Sequence, residues 1–181
     1  VFVSAAGELA DVENSVTPDL AEQADILAAT YHKTAVYSFA APLCAGAILA
    51  GAPSPWIADL ERIGGSLGLA FQLVDDLIGA FGTAEQAGKD AGSDLRESKR
   101  TPLIALARES AQWPLVTSTL AVAHTGPIAV RQAQSALEAS GARATKRDSC
   151  ANGVWHADGA RWPWQCRRPN RRSSICQRSV G

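Results

Sequence analysis

Apolar positions recur along this chain at steps of three and four residues, and no convincing run alternates at steps of two, which predicts helices throughout. Thr17-Pro18-Asp19 has the form of a helix start: a capping hydroxyl, proline in the first turn, then an acid. The helix it opens carries Leu20, Ala24, Leu27 and Tyr31 on one side and reaches about Tyr37. A small-residue helix follows, with a break at Pro42 and a stop at Gly51-Ala52-Pro53. Ser54-Pro55 starts a long helix from about Trp56 to Phe81. Leu60, Gly64, Leu67, Phe71, Val74, Ile78 and Phe81 form its expected buried stripe, and the glycines of Gly64–Gly68 imply close approach of a second helix. Residues 82–100 read as a polar loop. Thr101-Pro102 repeats the helix start, and weaker helices cover about 115–124 and 127–140. The expected architecture is an all-α bundle.

Charge changes this picture at one end. Net charge is -1, but residues 1–144 hold 16 acidic and 9 basic side chains, and residues 145–181 hold 2 and 8. The second segment has three of the five Trp, three of the four Cys and no helical periodicity. It reads as a disordered basic tail, or as a translation out of frame. Two units are therefore expected, 1–144 and 145–181. There is no Met and the first residue is Val1, so a non-standard start codon or a missing beginning is expected. No membrane span is expected, for want of a run of about 18 apolar residues. The opening residues lack the basic region of a signal peptide, which points to the cytoplasm by default.

The chemistry concentrates on the long helix. Gln72, Asp75 and Asp76 lie at i, i+3 and i+4 and share a face. Adjacent carboxylates repel each other, and a hard divalent cation such as Mg²⁺ relieves the repulsion while recruiting phosphate oxygens. The plain alternative is a pair of acids on a wet helix face. Lys89, Arg96, Lys99 and Arg100 follow closely. Beside a metal-binding pair they suit a diphosphate; alternatively they form a solvated loop in which Asp94 and Glu97 pair with the lysines. Lys33 and Thr34 could serve a phosphate or a carbocation, or Lys33 could simply complement a helix C-terminus. There is no P-loop, no dinucleotide fingerprint and no zinc spacing. Cys44 is expected in a core, and His32 and His124 at the surface. The arginines of the tail could bind nucleic acid nonspecifically, which makes a nucleic-acid-binding protein a rival reading, but no specific nucleic acid is expected.

The motifs in order resemble those of the polyprenyl synthetase family, the trans-isoprenyl diphosphate synthases. Phe71, Gln72, Asp75 and Asp76 match its F-Q-x-x-D-D-x-x-D helix, and Gly88, Lys89, Gly92, Asp94, Leu95, Lys99 and Thr101 match its G-K-x-x-G-x-D-L-x-x-G-K-x-T segment. Lys33-Thr34 matches its K-T helix, and Gly7–Asp11 its G-Q-x-x-D segment, with Glu8 for Gln. The resemblance implies an isoprenoid synthase bundle that couples an allylic diphosphate to isopentenyl diphosphate with Mg²⁺. It implies Asp75 and Asp76 at the metal, Lys33, Lys89 and Lys99 at the diphosphate, and Thr34 and Gln72 facing the carbocation or metal-bound water. Gly79 stands where the family has a third acid, Ser98 where it has Gly, and Asp90 where it has Pro. The family's first Asp-rich motif has no counterpart here. The sequence thus reads as the C-terminal half of such an enzyme, expected to be inactive alone, and to act as a homodimer or with a complementing N-terminal half. The alternative is a non-catalytic subunit that completes or modulates a synthase.

Overall fold

The computed structural model describes residues 1–17 and 19–145. Within them the chain is helical and contains no strand. Helix α1 is Phe2–Val16. Helix α2, Gln23–Thr30, runs directly into a π-helical segment, Tyr31–Ala40, and then into α3, Ala41–Leu49. Helix α4 is Ser54–Phe81. Two single-turn helices follow, α5 (Ala84–Ala87) and α6 (Ser93–Arg96), then α7 (Pro102–Arg108), α8 (Trp113–Val122) and α9 (Pro127–Ala139).

The glycines of α4 explain its main contact. An added Cβ at Gly64 would lie 2.7 Å from the Ala40 Cα, and one at Gly68 would lie 2.5 Å from the Ala35 Cα. These pairings run in opposite directions along the two helices, so α4 packs antiparallel on the π segment with backbones nearly touching. Gly51, at φ +72°, makes the reversal before Pro53. The change from π to α geometry falls at Pro42, where the sequence shows a break: the Ala41 N–H still bonds Val36 O, and Pro42 has no N–H to place.

Three expectations change. Helix α2 begins at Gln23 rather than at Thr17, although Pro18 itself lies outside the described residues. The carbonyls of the 19–22 stretch are taken by distant arginines: Arg100 Nη1 bonds Asp19 O at 2.8 Å, and Arg108 Nη1 bonds Leu20 O at 2.8 Å. The buried face of α4 is Gly64, Gly65, Gly68, Leu69, Leu73 and Ala80. Leu67, Phe71 and Val74 of the expected stripe are exposed, because the glycine face meets the neighbouring helix instead. Finally, α4 is by length and composition apolar enough to cross a membrane, contrary to the expected absence of such a run, although much of it is buried.

Two apolar clusters flank the middle of the molecule. Leu27, Leu69 and Leu73 form one. Ala80, Leu95, Leu103, Val116, Val130 and Leu137 are central to the other, which joins the end of α4 to α6–α9. Helix α4 belongs to both, and its polar face lies between them. Cys44 is half-buried and donates weakly to Ile57 O, while His32 and His124 are exposed as expected. The segment expected as a separate tail lies outside the described residues beyond Thr145.

Candidate active site

A continuous hydrogen-bond chain starts on the π segment and ends on the acids of α4. Thr34 Oγ1 donates to Gln72 Oε1 at 3.1 Å. Gln72 Nε2 donates in turn to Asp75 Oδ2 at 3.1 Å and to Asp76 Oδ1 at 3.3 Å. Both carboxylates are therefore drawn to one amide on the same helix face. Asp75 is exposed, whereas Asp76 is only 7% accessible, so the plain picture of two acids on a wet face holds for one of them. π geometry is common at functional sites because it re-aims side chains within a helix, and here it carries both Lys33 and Thr34.

Helix α1 supplies two acids that the motif assignment leaves without a role. Lys33 Nζ bonds Asp11 Oδ2 at 2.8 Å and pairs with Glu8 at 3.1 Å. The close approach depends on Gly7, where a Cβ would lie 2.4 Å from the Lys33 nitrogen. Burial lowers the pKa of Lys33, but bonding to the two acids outweighs it and the net shift is upward. The lysine is held charged. Only the glycine before two acids at i and i+3 hints at this in the sequence.

The segment after α4 is solvated over 88–91 and 97–99, as a polar loop would be, but its middle is buried. Ser93, Asp94 and Leu95 are buried. Gln134 Nε2 of α9 bonds Ala80 O at 2.8 Å, satisfying a carbonyl at the end of α4. Lys89 Nζ and Lys99 Nζ both bond Asp94 Oδ1 at 2.8 Å. Pairing of Asp94 with lysines, one of the two readings from sequence, is thus present, with the acid buried and the two lysines nearly half exposed. Desolvation raises the Asp94 pKa, and the two ammonium bonds more than reverse this, leaving it below the ordinary value. Lys99 moves upward for the complementary reason, against its own desolvation.

Asp11, Lys33, Thr34, Gln72, Asp75 and Asp76 line one cleft of about 180 Å³, together with Asp94, Lys99, Arg100 and Thr101. All the candidate residues except Lys89 reach its wall; Lys89 lies at one remove, bonded to Asp94. The other two cations of the segment are engaged: Arg96 pairs with Asp90 at 2.9 Å, and Arg100 holds Asn14 O and Asp19 O. Among the described residues no group of three or more His, Cys, Asp or Glu forms a metal-ligand set. Two carboxylate groups with hard oxygen donors fit Mg²⁺, which takes its remaining ligands from water and phosphate.

Ser98 has φ +55°, the left-handed region that a β-carbon disfavours. This accounts for the glycine that the resemblance leads one to expect there. Ser98→Gly is expected to stabilise the chain by about 1 kcal/mol, read as a higher urea midpoint with an unchanged slope; an unchanged or lower midpoint would refute the strain.

The helical fold and the comparison of sequences define one class: the chain belongs to the polyprenyl synthetase family, whose model matches residues 1–137. Its relatives are trans-prenyl diphosphate synthases. It is similar to octaprenyl diphosphate synthase of Escherichia coli, 42% identical over 105 residues that make up 58% of this chain and 32% of the relative. Its fold is similar to that of geranylgeranyl pyrophosphate synthase from Corynebacterium glutamicum, solved with isoprenyl diphosphate and magnesium, with TM-score 0.76 and 32% identity over 88% of this chain and 47% of that one. It is also similar to a polyprenyl synthase of Caulobacter crescentus, solved with calcium and isoprenyl diphosphate, with TM-score 0.73 and 34% identity over 84% of this chain and 47% of that one. The chain thus spans about a third of the length of the first relative and about half the length of the solved chains.

Proposed function

We propose that this chain binds the diphosphate of an allylic substrate, complexed with Mg²⁺, and takes part in its condensation with isopentenyl diphosphate. The observation that carries the reading is the convergence of Lys33, Thr34, Gln72, Asp75, Asp76 and Lys99 on one cleft. Asp75 and Asp76 would hold the metal, which supplies charge neutralisation at the departing oxygens. Lys33 and Lys99 would face the diphosphate, each kept protonated by its carboxylate partners. As the allylic C–O bond breaks, both electrons leave with the diphosphate, and a wall of fixed ammonium groups stabilises that charge without reorganising. Thr34 and Gln72 would orient the acids and present polar atoms toward the cation left behind.

One acidic face is what these residues provide, and elongation needs the opposite side of the substrate held as well. The chain alone is therefore expected not to incorporate labelled isopentenyl diphosphate with Mg²⁺, and to do so when co-expressed with the N-terminal half of a relative. Turnover by the lone chain would overturn the inactivity. Failure of the pair, with both halves folded and associated, would overturn the transferase reading.

A second reading is favoured by Trp56, Ile63, Leu67, Phe71 and Val74, all exposed along α4. An apolar face of this kind suits a subunit that completes or modulates a synthase without catalysing. A partnered complex with unchanged turnover after Asp75→Asn and Asp76→Asn would favour that reading.

A further inference from the structure

The family pattern carries acids both at the position of Gly79 and at that of Asp94. In this chain a side chain at the first position would require the Asp94 carboxylate to shift. A Cβ at Gly79 would lie 2.1 Å from Asp94 Oδ2 and 2.5 Å from its Cγ. The obstacle is the end of the carboxylate itself, which is only 4% accessible and is bonded to two lysines. Its backbone is equally constrained. Gly92, at φ +69°, lies against Val130, where a Cβ would come within 2.3 Å of Cγ1, and Leu95 is buried in the core. The Lys99 N–H bonds Asp94 O at 3.0 Å.

We propose that Asp94 is the third carboxylate of this site, seated against α4 in the space left by Gly79, and that it is a positioning residue for Lys89 and Lys99. A single oxygen, Oδ1, takes both ammonium groups. Two like charges that would otherwise repel are thereby held together beside the cleft. The other oxygen faces Gly79. The glycine then leaves room for the Asp94 carboxylate in the place it holds here. This assignment rests on the diphosphate-binding reading for its purpose, but not for its geometry.

Two predictions separate the geometry from the purpose. In the full chain, amine labelling followed by peptide mass spectrometry should show Lys89 and Lys99 reacting at least threefold faster in Gly79→Asp and in Asp94→Ala than in the parent, with Lys33 unchanged as the internal control. Restoring the family's acid should thus harm the site. Calorimetry with inorganic diphosphate and Mg²⁺ should show at least tenfold weaker binding in either variant. The double variant Gly79→Asp/Asp94→Ala, which returns a carboxylate from the helix side without a clash, should recover to within threefold of the parent. Unchanged labelling in both single variants, or a double variant no better than either single one, would overturn the assignment. A parent that binds no diphosphate would count against the proposed function, while the labelling pattern would still decide where Asp94 sits and what it holds. Should Gly79→Asp fail to fold, Gly79→Ala places only the Cβ against the carboxylate and is expected to give the same labelling change.

Discussion

Gly68→Val is expected to lower the stability of the chain by about 3 kcal/mol, at the upper end of overpacking costs. The added Cβ alone would meet the Ala35 Cα at 2.5 Å, the Phe39 Cδ2 at 2.7 Å and the Ala35 Cβ at 2.8 Å. Two of these belong to a small residue on a helix and cannot rotate away, so α4 and the π segment must separate. Thr34 adjoins Ala35 and bonds Gln72 one turn beyond Gly68, so separation also breaks the hydrogen-bond chain to the acids. Thermal unfolding should register a fall of roughly 6–12 °C, at about 2–4 °C per kcal/mol for a chain of this size. Gly46→Ala is the control. Nothing lies within 4 Å of its Cβ position, and alanine gains about 1 kcal/mol of helix propensity there. Equal midpoints for Gly68→Val and the parent would refute the close packing.

The same contact shows what was legible in the sequence. Gly64–Gly68 signalled a close helix partner, and the antiparallel approach bears it out. The apolar stripe was misplaced because α4 is apolar on more than one side. Leu69 and Leu73 lie on the buried face and Leu67, Phe71 and Val74 on another, so periodicity alone fixes the helix but not which side turns inward. The helix start at Thr17 failed for a different reason. Local capping chemistry is present, but arginines more than 80 residues away bind the carbonyls of the following stretch in an extended form. No local rule registers that. The motif spacing singled out Lys33, Thr34, Gln72, Asp75, Asp76 and Lys99, which the fold brings to one cleft. It left Asp11 without a role, and it allowed Asp94 to be read as a solvated loop acid. Asp94 is buried with its carboxylate against Gly79 of α4, a contact between distant positions that its polar surroundings in the sequence do not signal.

Asp75→Asn/Asp76→Asn is expected to change diphosphate binding in opposite directions with and without Mg²⁺. Without the metal, two carboxylates beside the cleft repel a polyanion that Lys33 and Lys99 attract. Removing both charges should then strengthen binding severalfold at low ionic strength. With the metal, the same carboxylates are its anchors, and their loss should weaken binding by about a hundredfold, the effect of about 2.8 kcal/mol at 1.4 kcal/mol per decade. The amides keep the shape of the acids, and Gln72 can turn its own amide to meet them, so the fold should be retained. That matters most at Asp76, which is buried. Calorimetric titration with inorganic diphosphate, in Mg²⁺ and then in chelator, gives both arms on one preparation. A crossover ties the acids to a metal rather than to the lysines. If the double variant instead binds diphosphate more weakly in both conditions, the carboxylates orient the cationic wall and the metal assignment fails. If it binds equally in both, the acids play no part in the cleft, since a charge change of two units beside a polyanion cannot be silent at low salt.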